Sequence, residues 1–200
     1  MADHYFSHNP QSKSSPKKWK YQLRGKDYTF ESDYGVFSRN EIDYGSKLLI
    51  NRFEEPDAAG DVLDLGCGYG PIGIAVADNF GNRHVVMSDV NERAVALARK
   101  NAELNRVDNT EVVLSDQFSN LVGRQFASIL TNPPIRAGKR IVHQMLEDSR
   151  NALLPQGQLW AVIQKKQGAP SALRKLEDLF KSVEVAARSK GYYVLVAFNG

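Results

Sequence analysis

Between Val62 and Gly73 the chain passes from a short β-rich run, Val62 to Leu65, into the turn Gly66-Cys67-Gly68-Tyr69-Gly70-Pro71-Ile72-Gly73, and then into a helix expected over about Ile72 to Phe80. A strand that turns through closely spaced glycines into a helix constrains the fold more than any other feature. Glycines let the backbone bend sharply and let a ligand approach the main chain, and the helix N-terminus beyond them has unpaired N–H groups. The alternation then repeats. His84 to Asp89 reads as a second strand with its helix from about Arg93 to Leu104, and Val112 to Ser115 and Ser128 to Thr131 read as the third and fourth strands. Ile141, Val142, Met145, Leu146, Ser149 and Leu153 trace one helical face, Leu159 to Ile163 is a fifth strand, and a helix carries Leu173, Leu176, Leu179 and Phe180. Val183 to Val185 and Tyr192 to Phe198, joined through Lys190-Gly191, read as a terminal antiparallel pair. Strands alternating with amphipathic helices predict an α/β class, with a doubly wound, mostly parallel sheet of seven strands and an antiparallel last strand.

An N-terminal extension precedes this core of residues 61–200. Trp19, Tyr21 and Leu23 alternate with Lys18, Lys20, Gln22 and Arg24, Gly25-Lys26 supplies a turn, and Tyr28 and Phe30 resume the alternation, which predicts a β-hairpin. Ser38 followed by Glu41 is a capping-box pattern, opening a helix with Ile42, Leu48, Leu49 and Phe53 on its apolar stripe. Residues 1–16, polar and rich in Ser and Lys, read as a flexible tail, leaving 17–200 as one domain. Of the 200 residues, 42% are hydrophobic, enough to bury one substantial core. The net charge of +3 does not identify a nucleic-acid partner, but its distribution is uneven: residues 1–26 hold six Lys or Arg against one acid. A single cysteine, Cys67, excludes an intramolecular disulfide and a cysteine-based zinc site, and no metal is expected. With no apolar run of signal-peptide or membrane-spanning character, the expectation is a soluble, cytoplasmic protein with no membrane partner.

The glycine-rich turn suits two cofactors. Gly68, Gly70 and Gly73 satisfy G-x-G-x-x-G, and Asp89 follows at about the twenty-residue distance of an acid that binds a nicotinamide cofactor's ribose. Three features weigh toward a different ligand. Asp64 puts a carboxylate near the helix N-terminus, where a pyrophosphate is repelled and an amino group welcomed. About sixty residues precede the strand, whereas a nicotinamide-binding unit commonly opens its domain. Asp116-Gln117-Phe118, after the third strand, offers polar groups to an adenine amine beside an aromatic contact.

With these residues, and with Asn132-Pro133-Pro134-Ile135 after the fourth strand, the sequence resembles the class I S-adenosylmethionine-dependent methyltransferases, Rossmann-like in fold. In that superfamily an Asn-Pro-Pro-aromatic motif there marks transfer to amino nitrogens. Gly35-Val36-Phe37-Ser38 with Leu48-Leu49 is similar to the catalytic domain of small-subunit ribosomal RNA guanine-N2 methyltransferases. Stand-alone methyltransferase small domain proteins are closer still, sharing Asn-Pro-Pro-Ile-Arg-Ala-Gly-Lys, here Asn132 to Lys139. The resemblance covers about residues 19–198. It implies that Gly66, Cys67, Gly68 and Gly70 line the methionine end of S-adenosylmethionine, with Asp64 near its amino group. It also implies that Asp89 holds the ribose hydroxyls and Asp116 meets the adenine, with Phe37, Val90, Gln117 and Asn132 also binding the cofactor. S-adenosylhomocysteine would be the product. Ile135 departs from the pattern, so stacking on the target base must come from elsewhere, and the N-terminal companion domain of longer RNA-modifying relatives has no counterpart.

The motif suits its chemistry. An exocyclic amine is a poor nucleophile because its lone pair is delocalised into the ring. The Asn132 side-chain oxygen and the Pro133 carbonyl can each accept one amine hydrogen, favouring a pyramidal nitrogen, while Pro133 and Pro134 restrict the backbone that presents them. Arg136, Lys139 and Arg140 after the fourth strand and Lys165 and Lys166 after the fifth fall on one rim and could track the phosphates of a structured, ribosomal RNA. The cations and aromatics of residues 17–24 could do the same, or Trp19 and Tyr21 could be the hairpin's core face. His143 reads as a bystander. Transfer to a protein glutamine or a DNA adenine uses the same motif and stays open, as do a nicotinamide oxidoreductase and a non-catalytic RNA-binding module.

Overall fold

The computed structural model describes residues 12–200, so the expected tail falls outside the described residues as far as residue 11. Beyond that point Ser14 Oγ and Ser15 N donate to the Asp33 carboxylate at 2.6 and 2.7 Å.

Strands β1 (Lys17–Leu23) and β2 (Lys26–Ser32) pair antiparallel from Lys17↔Ser32 to Leu23↔Lys26. Their two-residue turn is Arg24-Gly25, with φ of 49° and 78°, the left-handed pair a type I′ hairpin needs. The turn lies one residue earlier than expected because Lys26 already pairs with Leu23. Alternation buries Tyr28 and Phe30 and packs Trp19 and Tyr21 against the same cluster, so these aromatics are the hairpin's core face.

Helix α1 spans Tyr44–Arg52 and is capped by Asp43, whose carboxylate accepts from the N–H groups of Gly45 and Ser46. This corrects the expected Ser38–Glu41 capping box. Ser38 sits at φ 57°, and its hydroxyl donates to the Glu41 carbonyl instead of capping a helix.

Seven strands follow in the order β5-β4-β3-β6-β7-β9-β8: β3 (Val62–Leu65), β4 (Val85–Asp89), β5 (Thr110–Leu114), β6 (Phe126–Thr131), β7 (Leu153–Gln164), β8 (Ser182–Ser189) and β9 (Tyr192–Phe198). The pairs among β5, β4, β3, β6 and β7 are parallel, and β9 lies antiparallel between β7 and β8. Leu153, expected on a helix, opens β7 opposite Phe126. Helices α2 (Pro71–Asn79) and α3 (Glu92–Leu104) join α1 and the hairpin on one face, while α4 (Lys139–Asn151) and α5 (Ala169–Leu179) cover the other. Val62 belongs to the first cluster and Leu63 and Leu65 to the second, as a strand buried on both faces requires. This is the predicted doubly wound α/β architecture with an N-terminal hairpin. No helix among the described residues is long and apolar enough to cross a membrane.

Candidate functional site

Strand register assembles the site. Leu65, the last residue of β3, pairs with Ser88 of β4 on one side and Thr131 of β6 on the other. The Thr131 hydroxyl donates to the Leu65 carbonyl at 2.9 Å, and the N–H groups of Gly66 and Cys67 donate to the Ser88 carbonyl at 2.8 and 2.9 Å. The glycine turn, Asp89 and Asn132 therefore leave the sheet side by side, where the strand order reverses between β3 and β6. An open α/β sheet places its ligand crevice at that switch point.

A cavity of about 390 Å³ occupies it, within the usual range of small-molecule sites. Its wall includes Phe37, Gly66, Cys67, Gly68, Asp89, Val90, Asp116, Gln117, Asn132, Pro133 and Pro134. Gly66 and Gly68 have φ of 77° and 57°, and a Cβ on either would meet no atom within 4 Å, so their missing side chains leave open space above the main chain. Asp89 braces the turn: one carboxylate oxygen accepts from Gly68 N at 2.8 Å and the other from Asn91 N at 2.9 Å. Gln117 stands at φ 48°, strained for a non-glycine residue. Gln117 Oε1 and the Ser88 hydroxyl are buried on this wall without a hydrogen-bond partner among the described residues.

Two expected residues lie behind the wall. Asp64 is 1% exposed and accepts from Gly73 N at 2.8 Å, leaving its other oxygen without a partner among the described residues. Strand parity explains this, since Asp64 shares the α2 face with Val62. Gly70 caps α2 at φ 97°, and a Cβ there would sit 3.0 Å from Ile74 Cδ1. Burial raises the Asp64 carboxyl to about 7, against the pull of the Gly73 N–H and with help from the Asp89 charge. Burial likewise raises Asp89, opposed by N–H groups of Asn91, Gly68 and Val90, and it keeps the Cys67 thiol protonated, with Asp89 and Asp64 adding to the effect. A carboxylate on the wall, glycines that leave space above the main chain, and buried polar groups without a partner among the described residues suit a ligand with ribose hydroxyls and an adenine amine. S-adenosylmethionine is such a ligand.

Asn132 stands in a wall shared with a second cavity of about 350 Å³, lined also by Phe37, Asp43, Pro133, Ile135, Arg136, Gln164, Gln167 and Tyr192. Its Nδ2 donates to both Asp43 oxygens at 3.1 and 3.2 Å and to the Ser46 hydroxyl at 3.0 Å. With both amide hydrogens so placed, the Asn132 oxygen is turned away from α1. Arg136 borders the second cavity; Lys139, Arg140, Lys165 and Lys166 are exposed at the same end of the sheet without lining it. Asp43, Ser46, Gln164 and Tyr192 escaped the sequence reading. Only Asp43 carried a local signal, as an aspartate one residue before a helix.

The methyltransferase small domain model matches residues 27–196. YbxB of Bacillus subtilis, an uncharacterized protein, is 56% identical over 198 residues, 98% of each chain. Ribosomal RNA small subunit methyltransferase C of Pasteurella multocida is 36% identical over 129 residues, covering 62% of this chain and 38% of that protein. The solved structure of the T. thermophilus 16S rRNA N2 methyltransferase RsmC, in complex with AdoMet and guanosine, superposes with a TM-score of 0.81 at 25% identity, over 96% of this chain and 52% of that one. The chain thus spans about half or less of the length of these two ribosomal RNA methyltransferases. Matched over most of its length and built on the fold expected of such enzymes, it belongs to the methyltransferase small domain family.

Proposed function

We propose that the protein transfers the methyl group of S-adenosylmethionine to an exocyclic amine of a base in ribosomal RNA, with guanine N2 as the target. The observation that carries this reading is the position of Asn132-Pro133 in the wall common to two cavities, one floored by the glycine turn and the other opening beside Arg136, Phe37 and Tyr192. A donor in the first and a flipped-out base in the second would meet at these two residues. S-adenosylmethionine supplies an electrophilic methyl on a sulfonium centre. The Asn132 oxygen and Pro133 carbonyl hold the two amine hydrogens, turning the nitrogen lone pair toward the methyl and stabilising the positive charge that grows on nitrogen. The nitrogen becomes acidic only once it has attacked, so its proton can pass to water through the second cavity without a histidine base. Since Ile135 presents no ring, the aromatic side chains beside the base would be Phe37 and Tyr192, which line the second cavity. Arg136, Lys139, Arg140, Lys165 and Lys166 would track phosphates, and the reading carries with it a cytoplasmic location.

The test is calorimetric titration with S-adenosylmethionine and with reduced nicotinamide cofactors, followed by tritiated methyl transfer to unmodified ribosomal RNA. Donor binding with label in RNA, lost in Asn132→Ala, is expected. Donor binding without RNA labelling would redirect the search to protein or assembled-ribosome substrates, and preferential nicotinamide binding would overturn the reading.

A further inference from the structure

We infer that Asp43 is a positioning residue for the transfer: its carboxylate holds the Asn132 amide in the one orientation that presents the side-chain oxygen to the acceptor cavity. The inference rests on the reading of Asn132 as the amine acceptor.

An asparagine amide can sit either way round in a polar site, and the two choices are opposite for an incoming amine: the oxygen accepts its hydrogens, whereas the NH2 group repels them. Asp43 removes the choice. Both its oxygens lie within 3.2 Å of Asn132 Nδ2, and an ionised carboxylate accepts only, so turning the amide round would set oxygen against oxygen. Ser46 Oγ, at 3.0 Å, engages the same NH2 group from the first turn of α1. Asp43 is itself fixed, because it caps α1 by accepting from Gly45 and Ser46 at 3.1 Å each. The helix start thus clamps the motif after β6 across 89 residues of sequence.

Charge adds to geometry. Among the described residues no Lys or Arg forms an ion pair with Asp43, although it lines both cavities. Its negative charge reaches its neighbours: burial, and after it the Asp43 charge, raises the Tyr69 and Tyr192 hydroxyls. An uncompensated carboxylate behind the NH2 group draws its hydrogens and increases electron density on the amide oxygen, strengthening it as an acceptor where positive charge develops.

The test compares Asp43→Asn with the exchanged pair Asp43→Asn/Asn132→Asp. Asn caps a helix about as well as Asp, so α1 should persist in both. In the single variant the facing amides lose their fixed polarity. We expect kcat for methyl transfer to unmodified ribosomal RNA to fall ten- to a hundredfold, with the Kd for S-adenosylmethionine changed by less than threefold. The exchanged pair restores a donor–carboxylate contact and keeps an acceptor toward the cavity, so it should recover at least tenfold over the single variant. Equal activity of Asp43→Asn and wild type, or no recovery in the exchanged pair, would overturn the inference. A second readout needs no RNA. The Asn132 side-chain NH2 signals in 15N-resolved NMR spectra, assigned by their loss in Asn132→Ala, should show slow exchange with water in the wild type and fast exchange in Asp43→Asn. Unchanged exchange would overturn the clamp even if ribosomal RNA is not the substrate. A wild type with slow exchange but no RNA labelling would refute the RNA assignment alone.

Discussion

Asn101 joins three parts of the molecule, and its replacement by alanine should reach all of them. It lies fully buried on α3, where its Oδ1 accepts from Glu31 N and its Nδ2 donates to the carbonyls of Glu31 and Tyr69, each at 2.8 Å. Glu31 belongs to the hairpin and Tyr69 to the glycine turn. Asn101→Ala deletes all three bonds and leaves one N–H and two carbonyls in a site without exposure. Three neutral hydrogen bonds at about 1 kcal/mol each set a floor of roughly 3 kcal/mol, and unsatisfied groups at ~1–3 kcal/mol apiece could double it. The internal control is Asn105, one turn on, which makes the same paired contact with Thr29 at 2.9 and 2.8 Å but is only half-buried, so water can replace its bonds at about 1 kcal/mol. In urea, with a slope on the order of 2 kcal/mol/M, the Asn101→Ala midpoint should fall by roughly 1.5 M and the Asn105→Ala midpoint by roughly 0.5 M. Because Tyr69 is released, S-adenosylmethionine should also bind more weakly to the first variant alone. Equal midpoints for the two variants would refute the assignment of the cost to buried, unsatisfied groups.

Three further outcomes follow from the same geometry. A Cβ at Gly45 would lie 2.9 Å from Tyr192 Cε1 and 3.1 Å from Asp43 Oδ2, so Gly45→Ala should cut methyl transfer at least tenfold in a kinetic assay while calorimetry finds S-adenosylmethionine affinity within threefold. Asp64 keeps its proton up to about pH 7 folded but only to 3.8 unfolded, so the folded state loses stability as pH rises between those values, by on the order of 4 kcal/mol, and the loss is complete above 7. Asp64→Asn should flatten that fall when denaturation midpoints are compared at pH 5.5 and 8. Arg136→Gln should weaken RNA binding across sequences and lower the slope of log affinity against log salt by about one phosphate contact in filter-binding titrations.

What the sequence disclosed depended on how local the determinant was. The glycine turn, Asp89 and Asn132 are each marked by spacing within a few residues, and parallel register brings them together because Leu65 pairs with Ser88 and Thr131. The clamp on Asn132 and the amide contacts of Asn101 and Asn105 were illegible for the opposite reason: their partners lie 89, 70 and 76 residues away, and a lone asparagine in a helix carries no sign of what it will touch. Asp64 and Gly70 were misplaced toward the cavity although strand parity was available, since Asp64 must share the face of Val62.

The same distinction explains why G-x-G-x-x-G could not separate two cofactors. Its third glycine, Gly73, touches no ligand space: a Cβ there would fall 2.6 Å from Met87 Sδ and 3.0 Å from Asp64 Oδ2, so the residue is fixed by helix-to-sheet packing that a nicotinamide site requires equally. Nor does Asp89 discriminate, because its carboxylate accepts from the turn's own Gly68 and from the N–H groups of Val90 and Asn91 just after it. On the function proposed above, the discriminating chemistry comes from the far side of the switch point, where Asn132 and Pro133 line both cavities. Once the glycine turn has fixed the floor, the residues that follow β6 and the helix that holds them decide what such a site can do.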